Sequence, residues 1–169
     1  FNAADVIVVG RYAGGNSLAA VGATGATVAL VVNFFIGFTV GINYAVAKDV
    51  ASGNKEDVSR DVHTAMLSSL LFGSVIGFLG IIGARGILEL INTPEEIIDQ
   101  AALYLSIYFG GLPGIALYNA GASIVRSIGD TKRPMYYLVA AGIVNVILNL
   151  YFVIVMGMNV EGVAIATTV

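Results

Sequence analysis

The sequence contains no cysteine and no tryptophan, and it carries little charge of either sign. The absence of cysteine excludes a disulfide framework, a thiolate metal site and a thiol nucleophile. The net charge is −3 and no stretch is basic, which argues against a nucleic-acid-binding protein. Charged residues make up 11% of the 169 residues and apolar residues 57%. That is too little charge to cover the surface of a soluble domain.

Four long runs contain no Asp, Glu, Lys or Arg. They are 12–47, 62–84, 100–125 and 134–160. Each is longer than the roughly 20 residues that a helix needs to cross a bilayer. The sequence therefore predicts an all-α, polytopic membrane protein, a bundle of about five transmembrane spans plus a partial one. Because the chain begins without Met and ends inside an apolar run, we expect a fragment of a longer protein.

Turn and capping signals divide the chain into six helical segments. Ser17 is the expected N-cap of the second helix, and Thr93-Pro94-Glu95-Glu96 predicts a capping box at the start of the fourth. A short amphipathic piece at the membrane interface is expected at 85–92. The expected helices are the end of one at 1–9, complete ones at 18–47, 62–84, 95–127 and 135–156, and the start of a sixth at 163–169.

The connectors differ in their content of Lys and Arg. Connectors 48–61 and 126–133 carry three such residues each, whereas the other three carry one or none. Basic residues concentrate in cytoplasmic loops of membrane proteins. We therefore expect 48–61 and 126–133 in the cytoplasm, which places Asp5 near the outer end of the first helix.

Asp5 is the acidic residue that lies inside an otherwise apolar span. Burial in the membrane disfavours the charged form of a carboxylate. A buried Asp that can take up a proton or bind a cation is typical of proton- or sodium-coupled transport. The alternative is that Asp5 caps the helix end or lies at the interface, where Arg11 neutralises it.

Asn145 and Asn149 are four residues apart, so they share one face of the fifth helix. Unpaired amides are costly in hydrocarbon, so this face is expected to point at protein or at a water-filled cavity. Amide oxygens suit cation coordination, and interhelical hydrogen bonding is the other interpretation. Pro113, in the middle of the fourth helix, predicts a kink that is either static or a functional hinge.

Catalytic signatures are missing from the sequence. It contains no HExxH, GxSxG or phosphate-binding glycine motif. His63 is the single histidine and has no second ligand for a metal site. The topology also places His63 and Asp5 at opposite membrane faces, so they cannot form a catalytic pair. We expect neither an enzyme nor a bound cofactor; H⁺ or Na⁺ would serve only as a coupling ion.

Several segments together resemble one known pattern. They are ADVIVVGR at 4–11, LAAVGA at 18–23, RSIGDTKRP at 126–134, NVILN at 145–149 and GVAIAT at 162–167. In this order they resemble the multidrug and toxic compound extrusion (MATE) family. The turn at 126–134 is similar to its R-x-x-G-D-T-x-x-P motif, and 145–149 to its N-x-x-x-N/D element.

The resemblance implies secondary active efflux by alternating access in a protein of two six-helix lobes. Residues 1–169 would form most of the N-terminal lobe, from the end of helix 1 to the start of helix 6, with the second lobe outside this chain. In some members an Asp stands where Asn149 stands here, which leaves Asp5 as the sole acid. The resemblance implies a proton- or sodium-binding site formed by Asp5, Tyr104, Asn145, Asn149 and Thr167.

The leading hypothesis is an antiporter that exports an organic cation or an amphipathic drug across the cell's inner (plasma) membrane. One alternative is a lipid-linked sugar flippase of the same wider superfamily. Such flippases tend to carry cationic residues in the lobe cavity, and the uncharged spans here have none. The other alternative is a non-transporting membrane scaffold, in which Asp5 and the two Asn residues would only hold helices together.

Overall fold

Helices joined by short turns make up the structure, a computed structural model that describes the backbone of residues 2–169 and the side chains of residues 5–169. No strand occurs among these residues, and one π-helical turn, Tyr151–Val155, follows the fifth helix. The helices are α1 (Asn2–Tyr12), α2 (Gly15–Ser52), α3 (Lys55–Leu90), α4 (Glu95–Ser127), α5 (Lys132–Leu150) and α6 (Val160–Thr168).

Four of these helices are long and apolar enough to cross a membrane. They are α2, α3, α4 and α5 together with its π-helical turn. Within the described residues α1 and α6 have 11 and 9 residues, fewer than the roughly 20 that a span requires. The predicted all-α, multi-pass membrane bundle is confirmed, and the predicted bounds of the fourth helix agree with those of α4.

α2 and α3 are longer than predicted. Only Gly53 and Asn54 separate them, so most of the expected connector 48–61 is helical. Gly53 closes α2 with a left-handed backbone (φ 74°), and the Asn54 side chain accepts from two backbone N–H groups at the start of α3. A helix of 38 residues is about 57 Å long, against a hydrocarbon core of about 30 Å. The charged ends of both helices therefore continue beyond the bilayer.

Three local predictions are wrong. Residues 85–92 form no separate interfacial helix, because α3 continues to Leu90. Ser17 does not cap α2, which begins two residues earlier; its buried hydroxyl instead donates to Gln100 Oε1 of α4 at 3.4 Å. Thr93 forms no capping box, because its N–H bonds to the Leu88 carbonyl at 3.0 Å and closes α3 in a Schellman-like turn.

α5 and α6 both begin three residues before their predicted starts. Asp130 explains the early start of α5, because its Oδ1 accepts from the backbone N–H groups of Lys132 and Arg133, each at 3.1 Å. These N–H groups of the first turn have no partner within the helix, and Asp130 supplies one before the apolar run begins. The far end of the predicted helix, 135–156, is divided between α5 and the π-helical turn.

α2 and α4 run in the same direction. Near one end of the pair, Ser123 Oγ donates to the Thr39 carbonyl at 2.7 Å, and Asn43 Nδ2 donates to the Ser123 carbonyl at 3.1 Å. Ser17 and Gln100 meet near the other end. The turn at 53–54 and the turn at 128–131 therefore lie at the same end of the bundle, as the proposed cytoplasmic location of both requires.

α3 packs closely on α4 through glycines. A Cβ at Gly77 would lie 2.5 Å from the Phe109 carbonyl oxygen, and a Cβ at Gly73 would lie 3.0 Å from Pro113 Cα. Gly73 and Gly77, two small residues four positions apart, therefore let the backbones of α3 and α4 approach closely. The pair Gly37 and Gly41 does not: both glycines line a groove of about 430 Å³ between α2 and α3, and no described atom comes near the position of an added Cβ.

Candidate ion-coupling site

Asp5 lies on α1, seven residues before Tyr12, and its side chain is fully buried. α1 presents it to α5 and α6. Asn149 Nδ2 donates to Asp5 Oδ1 at 2.7 Å, and Thr167 Oγ1 donates to Asp5 Oδ2 at 3.0 Å. Both carboxylate oxygens accept hydrogen bonds, which is the arrangement of an ionised carboxylate.

The two asparagines occupy the buried face of α5. Pro134, Asn145 and Asn149 are the buried residues of this helix, so the shared face points at protein, as the spacing predicts. Asn145 Nδ2 donates to the Ala166 carbonyl of α6 at 3.0 Å, and its Oδ1 accepts from Asn149 Nδ2 at 3.3 Å. A continuous chain of hydrogen bonds therefore joins α1, α5 and α6.

Tyr104 reaches the same place from α4. Its side chain is 1% exposed, on the helix that packs against α6. Of the five residues that the resemblance assigned to an ion-binding site, hydrogen bonds thus join Asp5, Asn145, Asn149 and Thr167, and Tyr104 is buried on the neighbouring α4. We refer to Asp5, Tyr104, Asn145, Asn149 and Thr167 as the Asp5 cluster.

One acceptor in the cluster is unused. Asn149 Oδ1 is buried and has no hydrogen-bond partner among the described residues. Leaving a buried acceptor unpaired costs about 1–3 kcal/mol, so such a group is available to a proton donor or a cation. It lies on the same amide that already donates to Asp5 Oδ1.

The charge of Asp5 has no cationic partner in the described part of the chain. Arg11 on the same helix is exposed and forms no ion pair with Asp5, so the helix-end interpretation finds no support. An ionised carboxylate held only by dipolar groups in a buried site is costly. Uptake of a proton or a monovalent cation would remove that cost. The described residues contain no group of three His, Asp or Glu that could hold a metal ion.

Two other predicted features lie outside the cluster. Pro113 is inside α4, nine residues after Tyr104, and its Cα packs against Gly73 of α3. His63 lies on the exposed surface of α3, where its Nδ1 is 2.7 Å from the Ser59 carbonyl oxygen. The role of Pro113 as a hinge stays a prediction.

Sequence reasoning missed the part played by the backbone of α6. The Ala166 carbonyl accepts from Asn145, and no side-chain type encodes that contact. The available signal is the run of small residues in α6, where Gly162, Ala164 and Ala166 are buried. Small side chains let one helix backbone approach another closely enough for such a bond.

Comparisons with known proteins agree with this architecture. The chain matches the MatE family model over residues 1–166. It is 32% identical over 143 residues to the probable multidrug resistance protein YoeA of Bacillus subtilis, covering 85% of this chain and 31% of that protein. It is 26% identical over 171 residues to the FAD transporter of Shewanella oneidensis, covering 99% of this chain and 38% of that protein.

Solved structures give the same result. A crystal structure of MATE in the bent conformation has a TM-score of 0.94 at 28% identity, covering 99% of this chain and 37% of that one. An inward-facing conformation of a multidrug resistance MATE family transporter of the MOP superfamily has a TM-score of 0.91 at 27% identity, covering 99% of this chain and 38% of that one. The chain thus spans about a third of the length of the relatives that it matches. Its family match, its relatives and its fold agree, and the chain belongs to the MATE family of multi-pass membrane transporters.

Proposed function

We propose that the full-length protein is a secondary active antiporter that exports organic cations or amphipathic drugs across the inner membrane by alternating access. Residues 1–169 would contribute most of its N-terminal lobe, and a second lobe would complete the substrate pathway. The Asp5 cluster would be the coupling site for H⁺ or Na⁺. The observation that carries this proposal is the complete burial of Asp5 between two neutral hydrogen-bond donors.

The cluster suits a carboxylate that changes its charge. When Asp5 takes up a proton, one of its oxygens becomes a donor and a weaker acceptor. Thr167 Oγ1 already lies 2.9 Å from the Val163 carbonyl, so its hydroxyl has a second acceptor to which it can turn. Asn149 Oδ1, which has no partner among the described residues, can accept a hydrogen bond from the new O–H group of Asp5. Both charge states can therefore be satisfied, but with different bonds between α1, α5 and α6, and this difference is what couples an ion to a helix arrangement.

Na⁺ is the alternative coupling ion. Asp5, Asn145, Asn149 and Thr167 each supply an oxygen, the ligand type that hard cations prefer. Replacing Na⁺ with choline at constant pH separates the two ions. Efflux that persists in choline and responds to the pH gradient supports H⁺, and efflux that stops in choline supports Na⁺.

The substrate class follows from the charge of the spans. The uncharged runs of this chain carry no Lys or Arg, which favours a cationic or amphipathic substrate over an anionic one such as the FAD of the Shewanella relative. The role is transport rather than catalysis, and it requires no cofactor. Proteoliposomes test the rivals directly: a flippase would move lipid-linked sugars but no cationic dye, and a scaffold would move neither.

The decisive experiment is Asp5→Asn in the full-length protein. The variant keeps the size of the side chain and removes its charge, so we expect normal amounts in the membrane but loss of gradient-driven dye efflux. Asp99→Asn is the matched control, because Asp99 is exposed and its salt bridge to Arg85 is worth about 0–1 kcal/mol at a surface. Coupled efflux at the wild-type rate in Asp5→Asn would overturn the proposal.

A further inference from the structure

α6 rests against α4 at a position where α4 has no side chain. An added Cβ at Gly111 would lie 2.6 Å from Thr168 Cγ2 and 2.7 Å from Thr168 Cβ. Carbon atoms in contact are normally about 3.5–4.0 Å apart, so alanine does not fit at this position. The preceding Gly110 differs, since no atom lies within 4 Å of a Cβ added there.

Thr168 is directly connected to the Asp5 cluster. It follows Thr167, whose hydroxyl donates to Asp5 Oδ2 at 3.0 Å. The same short helix is bound to α5 through the Ala166 carbonyl. The distance between α6 and α4 at Gly111 therefore sets where Thr167 lies relative to Asp5.

α4 cannot move away to accommodate a larger residue. On its other side it is packed against α3, where an added Cβ at Gly73 would lie 3.0 Å from both the Leu112 carbonyl oxygen and Pro113 Cα. Added volume at Gly111 must therefore displace α6. A displacement of about 1 Å follows from the difference between the 2.6 Å separation and an ordinary contact distance.

We propose that Gly111 is a positioning residue for ion coupling. The absence of a side chain at Gly111 lets Thr168 pack against α4, and this packing holds Thr167 at hydrogen-bonding distance from Asp5. The inference rests on the proposed function of the Asp5 cluster. It assigns to Gly111 a role that is distinct from ion binding, because Gly111 itself has no group that contacts the ion.

The test compares Gly111→Ala with Gly110→Ala in the full-length protein. Displacing α6 by about 1 Å changes the 3.0 Å separation between Thr167 Oγ1 and Asp5 Oδ2, and a hydrogen bond to a charged group is worth about 1.5–3 kcal/mol. We expect Gly111→Ala to change the half-saturating concentration of the coupling ion about tenfold, and Gly110→Ala to leave it unchanged. Among the described residues, Tyr104 and Tyr108 are the buried ionisable side chains of α4, and neither variant alters them.

A compensating substitution distinguishes positioning from general damage. Thr168→Gly removes both atoms that an added Cβ would strike, and the next atom, Thr168 Cα, lies 3.5 Å away. We expect the double variant Gly111→Ala/Thr168→Gly to regain the wild-type ion dependence. We also expect Thr167→Val to change the ion dependence as Gly111→Ala does, with no further change when the two are combined. If Gly111→Ala fails to accumulate, the double variant carries the test, because it must accumulate and show wild-type ion dependence.

Three results would overturn the inference: an unchanged ion dependence in Gly111→Ala, an equal change in Gly110→Ala, or a double variant that is not restored. The Tm of thermal unfolding measures how the α4–α6 contact affects stability, independently of any transport assay. A lower Tm in Gly111→Ala that Thr168→Gly restores, combined with unchanged ion dependence, would show packing without positioning. Failure of the proposed function itself is recognised separately, by coupled efflux in Asp5→Asn.

Discussion

Asn149 donates a 2.7 Å hydrogen bond to Asp5 across 144 residues of sequence. The bond joins α1 to the C-terminal end of α5. Because Asn149 is neutral, the charge of Asp5 stays uncompensated within the described residues, and the same amide keeps a free oxygen beside it. This pair is the centre of the proposed coupling site, and its chemistry leads to separate tests.

Asn149→Asp should give the transporter a second ionisable group in direct contact with Asp5. Two carboxylates at hydrogen-bonding distance cannot both be charged, so the pair must share a proton or bind a cation. We expect coupled efflux to survive but to change its ion dependence, measured as efflux against pH at fixed Na⁺ concentration. Asn92→Asp is the control for an added acid, because Asn92 is exposed in the turn between α3 and α4, outside the spans. An unchanged ion dependence in Asn149→Asp would count against the assigned role of this residue.

Thr167→Val should weaken coupling without unfolding the protein. The substitution keeps the shape of the side chain and removes the hydroxyl that donates to Asp5 Oδ2. A hydrogen bond to a charged group contributes about 1.5–3 kcal/mol, so a change of tenfold or more in the half-saturating ion concentration is expected. Thr24→Val serves as the control, because Thr24 is buried and its hydroxyl bonds only to the Val21 carbonyl of its own helix. Equal effects of the two substitutions would contradict the prediction.

Gly77→Ala should destabilise the packing of α3 on α4. The added Cβ would lie 2.5 Å from the Phe109 carbonyl oxygen, and overpacking of this kind typically costs about 1–3 kcal/mol. The expected result is a lower Tm of the purified full-length protein. Gly86→Ala, on the same helix, has open space around the added Cβ and should leave the Tm unchanged or raise it slightly, since alanine favours helix. A Tm for Gly77→Ala equal to that of Gly86→Ala would argue against this packing.

The orientation of the bundle can be tested by single-cysteine labelling. These 169 residues contain no native cysteine, so in a full-length protein without other cysteines any labelling must occur at the introduced thiol. Lys55→Cys at the start of α3 should react with a membrane-impermeant reagent only from the cytoplasm. Leu90→Cys, at the opposite end of the same helix and 84% exposed, should react only from outside. The reverse pattern would invert the proposed topology.

The spans could be predicted from sequence because membrane crossing requires long uncharged runs, and those runs are plain to read. Their ends could not, since hydropathy marks where the chain leaves the hydrocarbon and gives no sign that α2 and α3 continue as helices in water. The prediction of a capping box at Thr93 is wrong because the same residue can either end α3 or begin α4. The sequence pattern does not decide between these two roles.

Only part of the candidate site could likewise be predicted from the sequence. The shared face of Asn145 and Asn149 follows from helical spacing alone, and the structure places both in the interior. Their meeting with Asp5 and Thr167 depends on how α1 and α6 dock against α5, which the residues suggest only through the family resemblance. The close approach at Gly111 was not predicted, because the chain has 21 glycines and their spacing does not identify the one that touches another helix.

The two-residue turn at Gly53–Asn54 has a mechanical consequence. Because α2 and α3 stay helical past the membrane surface, they form a stiff hairpin whose tip stands in water. A small tilt of α2 inside the bilayer is therefore magnified at Gly53 into a larger lateral excursion. A spectroscopic probe at that tip would report this tilt from the aqueous side, far from the Asp5 cluster.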